Sequence, residues 1–187
     1  MSNRRLHGAR CLTGLVALLP FVGCRTAGPG LEVEGVRPAS VEQAQVGFER
    51  LKTLVGDWVG SMGGGRGPAE VSFFITGKGS ALVERMIIED PVEMVSVYHL
   101  EHGRLVMAHF CAAGNQPRMV LVPSGQGASL SFALAEASGF DAKRDLHMHA
   151  REIVALTSDR LAMVWETYRN GRLESRDTLL LQRRAAR

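Results

Sequence analysis

From Gly56 the chain settles into a period of two and keeps it to Gln182. Strand-like segments run near 56–62, 69–76, 80–89, 92–101, 104–111, 118–123, 128–135, 146–157, 160–169 and 172–182, with turn residues between them. Alternation places every second side chain on one face, so each segment has a face to bury. Asn170-Gly171 is the strongest hairpin signal, because both residue types tolerate the positive φ of a two-residue turn. His102-Gly103 and Ser158-Asp159 also read as two-residue turns. The longer connections are Gly63–Pro68, Ala112–Pro117 and Ser138–Asp145. Sequential strands joined by short turns form an antiparallel sheet, and closing that sheet removes its bare edges. The expected fold is therefore all-β, an up-and-down antiparallel β-barrel of about ten strands.

One short amphipathic helix should precede the barrel. Ser40 is a good N-cap, and Gln43 three residues later completes a capping box. Val41, Ala44, Phe48, Leu51 and Val55 recur at spacings of three and four, with Glu42, Glu49, Arg50 and Lys52 off that stripe. Gly47 lowers helix propensity without vetoing the helix. Upstream, Gly28, Pro29, Gly30, Gly35 and Pro38 break any regular element. Residues 24–39 thus read as a flexible tether and 40–187 as the folded domain.

The start of the chain has another character. Arg4, Arg5 and Arg10 form a basic region without acids, followed by an apolar run from Leu12 to Val22 and then Gly23-Cys24. The run has the length of a secretory signal and is too short to span a bilayer as a helix. With Phe21-Val22-Gly23-Cys24 as its lipobox, the segment 1–23 resembles a bacterial lipoprotein signal peptide. That resemblance implies cleavage before Cys24, lipidation of its thiol and usually acylation of its freed amine. Several acyl chains give stable anchoring where one gives only reversible binding. Arg25, where an Asp would favour the inner membrane, tilts the expected address to the outer membrane, facing the periplasm. Cleavage removes three of the 22 basic residues and none of the 19 acidic ones. The mature chain is then formally neutral and offers no support for nucleic-acid binding. Of its three cysteines, only Cys111 would remain as a free thiol, so the fold must rest on its core.

Phe48-Glu49-Arg50-Leu51 followed by Gly56-Asp57-Trp58-Val59-Gly60 is similar to the opening of lipocalin-like, or calycin, barrels. The stretch 45–182 further resembles a bacterial group of uncharacterised lipocalin-like proteins. Glu93-Met94-Val95-Ser96-Val97-Tyr98-His99-Leu100, Cys111-Ala112-Ala113-Gly114-Asn115-Gln116-Pro117-Arg118-Met119 and His147-Met148-His149 carry that match. The wider superfamily implies a small apolar ligand inside the barrel, and its nitrobindin-like branch implies haem held by a histidine. Trp58 is expected as a structural tryptophan at the barrel base.

Hairpin register assigns faces. With Asn170-Gly171 and Ser158-Asp159 as two-residue turns, Glu166 opposes Ser175, Val164 opposes Asp177, Arg151 opposes Glu166 and His149 opposes Tyr168. One face then gathers His147, His149, Arg151, Ile153, Val164, Glu166, Tyr168, Leu173, Ser175 and Asp177. This face is either a polar grip inside the barrel or a solvated outer wall with weak ion pairs. As an interior site it nominates Arg151, Tyr168, Glu166, His149 and Asp177 for ligand binding. His147 and His149, two apart on a strand, suit two ligands of one metal; equally they are two histidines near a barrel mouth. The His102-Gly103 turn sets Ser96 opposite His109 and Met94 opposite Cys111, with His99 on the other face. A Cys111–His109 pair lacks an orienting third group and an oxyanion donor pair. There is no phosphate-binding glycine loop and no Gly-x-Ser-x-Gly elbow. The leading expectation is a non-enzymatic, membrane-anchored barrel that binds a small apolar or amphipathic molecule without metal or cofactor. The alternatives are a haem- or metal-binding barrel using His147, His149 or His109, and a non-catalytic envelope scaffold.

Overall fold

The computed structural model describes residues 35–63, 66–88, 92–124 and 129–185. The expected signal segment 1–23 and Cys24 lie outside the described residues. Helix α1 spans Val41–Lys52. The strands are β1 (Gly56–Met62), β2 (Arg66–Thr76), β3 (Ala81–Ile88), β4 (Glu93–Glu101), β5 (Arg104–Phe110), β6 (Gln116–Val122), β7 (Ser129–Ser138), β8 (His147–Ala155), β9 (Arg160–Arg169) and β10 (Arg172–Arg183). Each pairs antiparallel with its sequence neighbours, and β10 returns to pair with β1, closing the barrel. The ten-strand up-and-down barrel read from the period is the fold.

Local chemistry explains the punctuation. Ser40 Oγ accepts the Gln43 backbone N–H, and the Gln43 side chain accepts the Ser40 N–H, forming the capping box. His102 and Gly103, and Asn170 and Gly171, all take positive φ, as a two-residue hairpin turn of the favoured hand requires. The helix buries a narrower stripe than its spacing suggests: Ala44, Gly47, Phe48 and Leu51 are buried, while Val41 and Val55 are exposed. Gly47 is there because the barrel rim is close. A Cβ on it would meet Leu121, Leu105 and Leu130 side chains at 3.1, 3.3 and 3.4 Å. Helix α1 thus plugs one end of the barrel, the base. Ala39, immediately before it, is already docked, donating its N–H to Leu121 O at 2.8 Å.

Trp58 sits at that base, buried, with Nε1 donating to Leu54 O at 2.8 Å. Arg183 stacks on its ring at 4.2 Å and donates to the carbonyls of Val55, Thr53 and Ser158. The last strand is thereby fastened to the helix end and to the β8–β9 turn. Above the helix, Phe73, Leu82, Tyr98, Leu105, Met107, Met119, Phe132, Ile153 and Met163 are all fully buried. The base half of the lumen is a packed core.

The register of the late strands differs from the two-residue reading. Between β8 and β9 the turn holds three residues, 157–159, with the backbone N–H groups of Leu156 and Thr157 both donating to Arg160 O. Arg151 therefore opposes Trp165, not Glu166. In β10 an extra residue at Glu174 shifts the pairing again, so Asp177 opposes Trp165 and Ser175 opposes Thr167. A slip of one residue sends every side chain to the other face. The two slips cancel across β9. Arg151, Ile153, Ser175 and Asp177 stay together on the inner face, and β9 alone is flipped. Met163, Trp165 and Thr167 point inward; Val164, Glu166 and Tyr168 point outward.

Candidate functional site

In β3 the alternation Leu82, Glu84, Met86 runs along the buried face, so a carboxylate enters the core. A buried carboxylate needs partners. Glu84 finds two. Arg151, from β8, donates from Nη2 to Oε1 at 2.7 Å, and Tyr98, from β4, donates its hydroxyl to Oε2 at 2.6 Å. In the closed strand order β3 and β8 stand on opposite sides of the barrel. The ion pair, inaccessible to solvent on both sides, therefore bridges the lumen. Burial works against charge on Arg151, but Glu84 and Tyr98 more than offset this and its pKa is raised. Burial, with Glu84 beside it, likewise lifts the Tyr98 hydroxyl well above its usual range.

Arg151 is only partly satisfied. Nη2 also approaches the Met163 sulfur at 3.9 Å, while Nε and Nη1 have no hydrogen-bond partner among the described residues. A second orphan comes from β5. His109 Nδ1 lies 3.0 Å from Ser96 Oγ, and its Nε2 is buried with no partner. Burial, and then the charge of Arg151, hold His109 at about 3, so its ring is neutral near pH 7. On β9 and β10 a third polar run faces inward. Thr167 Oγ1 and Ser175 Oγ are 2.9 Å apart, and Ser175 donates to Asp177 Oδ2 at 2.7 Å.

The remaining wall in the mouth half is soft. Met62, Met86 and Met148 are buried, and Met94, Ile88 and Trp165 are partly buried against the core. With Met107, Met119 and Met163, every methionine beyond Met1 faces the interior. Unbranched thioethers are flexible and repack at little cost.

The nominated residues divide. Arg151 and Asp177 lie inside, on the interior alternative. Glu166 points outward and pairs with Arg176 at 2.9 Å, so the expected Arg151–Glu166 pair does not form. Tyr168 also points outward and stacks on His149, with ring centroids 4.1 Å apart. His149 is the extra residue of a bulge in β8, which breaks its alternation with Arg151. His147 is buried beside Phe140, with Nδ1 bonded to Asp145 O at 2.9 Å and Nε2 to His149 Nδ1 at 3.1 Å. The two imidazoles thus face each other through a hydrogen bond. Among the described residues no group of three or more His, Cys, Asp or Glu side chains is placed to hold a metal ion. Ser96 opposes His109 and Tyr98 opposes Met107, as the His102-Gly103 turn predicts. Asn115, in the amide-rich loop, donates from Nδ2 to Leu146 O at 2.7 Å and ties that loop to the approach to β8.

The residue missed was Glu84. Its signal was legible, since Leu82, Met86 and Ile88 share its alternation. Its partner was not, because 67 residues separate Glu84 from Arg151 and only barrel closure joins them.

No protein-family model matches the chain, and no curated protein matches it. Among solved structures it is similar to a protein of unknown function of the DUF3598 family from Nostoc punctiforme, with TM-score 0.49 and 13% identity over 72% of this chain and 49% of that one. It is also similar to Rv2717c from M. tuberculosis, with TM-score 0.48 and 19% identity over 80% of this chain and 100% of that one. This chain thus spans about half the length of the Nostoc protein.

Proposed function

We propose that this protein is a lipid-anchored binding module of the cell envelope. Its barrel holds a small amphipathic molecule in the mouth half, with the polar end of the ligand at Arg151 and His109. The observation that carries this reading is three buried nitrogens on the inner face that have no partner among the described residues: Nε and Nη1 of Arg151 and Nε2 of His109. Leaving such groups unpaired is costly, and a ligand oxygen would satisfy them. Glu84 already neutralises Arg151, and Asp177 adds a second carboxylate two strands away. A neutral head with acceptor oxygens, such as a hydroxyl or carbonyl, suits this balance better than a further full negative charge. The methionine wall supplies the apolar part of the site. In this reading the barrel holds its ligand and does not transform it, and lipidated Cys24 keeps it at the membrane.

Native mass spectrometry of the purified protein, followed by solvent extraction, tests the reading. The expected result is a bound small molecule, or a Trp165 fluorescence response to a medium-chain alcohol. Either should weaken in His109→Gln and be lost in Arg151→Met. A protein with no bound mass and no tryptophan response to the alcohol or its matching carboxylic acid would refute it.

A further inference from the structure

The two ends of the barrel differ in what they show to solvent. Eleven large apolar side chains are exposed among the described residues, and seven of them lie at the base: Val41, Val46, Val55, Phe74, Ile75, Leu100 and Leu156. They come from separate elements, namely the start and outer face of α1, the α1–β1 connection, the end of β2, the end of β4 and the β8–β9 turn. Val46 and Leu100 line one shallow apolar groove between the helix and β4. A shared end, not a shared segment, is what these residues have in common. Clustered exposed apolar surface marks an interaction face. Arg50 and Lys52 of α1, Lys52 paired with Glu49 at 2.8 Å, and Lys78 of the β2–β3 turn are set among them. Long basic side chains beside apolar ones suit the boundary between acyl chains and headgroups.

The path of the chain names the occupant. The polypeptide meets the barrel at its base, where Ala39 is bonded to Leu121. Cys24 lies fifteen residues before Ala39, a length that spans at most about 50 Å fully extended. A membrane held by Cys24 is therefore within reach of the base, the end at which the chain enters the barrel and where these apolar side chains are exposed.

We propose that the base of the barrel is a membrane-docking face. Helix α1 and the base turns rest on the bilayer that anchors Cys24, and the mouth, with the Arg151–His109 site beneath it, opens away from that bilayer. The proposal rests on the reading of Cys24 as lipidated. Its consequence is that the ligand is exchanged with the aqueous compartment or a facing partner, not drawn directly from the anchoring leaflet.

The chain carries its own probes, because its two tryptophans lie at different heights: Trp58 at the base and Trp165 midway along β9, farther from it. The full chain, processed in a bacterial host, is reconstituted into phosphatidylethanolamine–phosphatidylglycerol vesicles containing a dansyl-headgroup lipid. Energy transfer is read in Trp165→Phe, which leaves Trp58, and in Trp58→Phe, which leaves Trp165. Transfer from Trp58 should exceed transfer from Trp165, and adding Val46→Glu with Leu100→Glu should erase the difference. Equal transfer in the parent pair, or greater transfer from Trp165, overturns the docking face while leaving the anchor intact. Protein that does not associate with vesicles, or that associates equally well as Cys24→Ala, overturns the anchor itself. Dimerisation in detergent that Val46→Glu and Leu100→Glu abolish would assign the face to a second copy and also overturn the proposal. Should Trp58→Phe fail to fold, dansyl transfer to fluorophores on Lys78→Cys and Lys143→Cys, each in Cys111→Ser protein, gives the same comparison.

Discussion

Replacing Arg151 with methionine removes the positive end of the bridge across the lumen and changes side-chain volume little. Glu84 is then left as a fully buried carboxylate held only by the Tyr98 hydroxyl. Removing one partner of a buried ion pair costs about 3–5 kcal/mol, mostly because the other charge is stranded. That is a large share of the roughly 5–15 kcal/mol that stabilises an ordinary domain. Glu84→Gln makes the complementary error, since its amide oxygen still accepts from Tyr98 while Arg151 stays charged without a counter-ion. The double variant Glu84→Gln/Arg151→Met removes both charges and keeps the bond to Tyr98. It should lie within about 2 kcal/mol of the parent, because a buried pair replaced as a unit is often nearly neutral. The coupling between the sites then exceeds about 3 kcal/mol. Urea unfolding followed by far-UV circular dichroism reads this as two large shifts in midpoint and one small one, at constant slope. Single variants that each cost under about 1 kcal/mol, or a double variant equal to their sum, would show that the bridge is not a coupled charge pair.

The remaining predictions concern acid, the base and the first strand. His109 is held at about 3 against an ordinary 6.5, so below the ordinary value the unfolded chain binds a proton that the folded chain refuses. Stability is full above about pH 6.5 and falls as pH drops toward 3, by up to about 5 kcal/mol from this group; urea midpoints at neutral and acid pH should show that His109→Gln flattens this slope. Arg183→Ala removes bonds to three backbone carbonyls and the stack on Trp58. It should cost about 2–3 kcal/mol, lowering Tm by roughly 4–10 °C in a thermal melt. Gly60→Ala would place a Cβ 1.9 Å from Leu180 O, so β10 must shift; a loss of about 3 kcal/mol or more is expected in the same melt.

Period and turn chemistry carried most of the fold. Strand limits near 56–62, 160–169 and 172–182 agree closely with the structure because alternation and the Asn170-Gly171 turn are local signals. Ser40 and Gln43 announced the helix for the same reason. Where the reading slipped, the cause was also local but silent. A three-residue turn at 157–159 and one extra residue at Glu174 each shift the pairing by one, and neither leaves a compositional mark. Glu166 and Tyr168 were therefore grouped with the wrong face, while Arg151 and Asp177 were grouped together correctly because the two slips cancel.

The sequence by itself determined an up-and-down barrel of about ten strands with a helix before it, and a face of the late strands shared by Arg151 and Asp177. These follow from side-chain alternation and short-range capping, which act over a few residues. Only the tertiary structure decided that Glu84 and Arg151 meet across the lumen, that His109 keeps a buried nitrogen without a partner, and that the exposed apolar residues gather at the base. Those facts depend on which strands become opposite when the sheet closes, and closure is a property of the whole ladder and of no single segment.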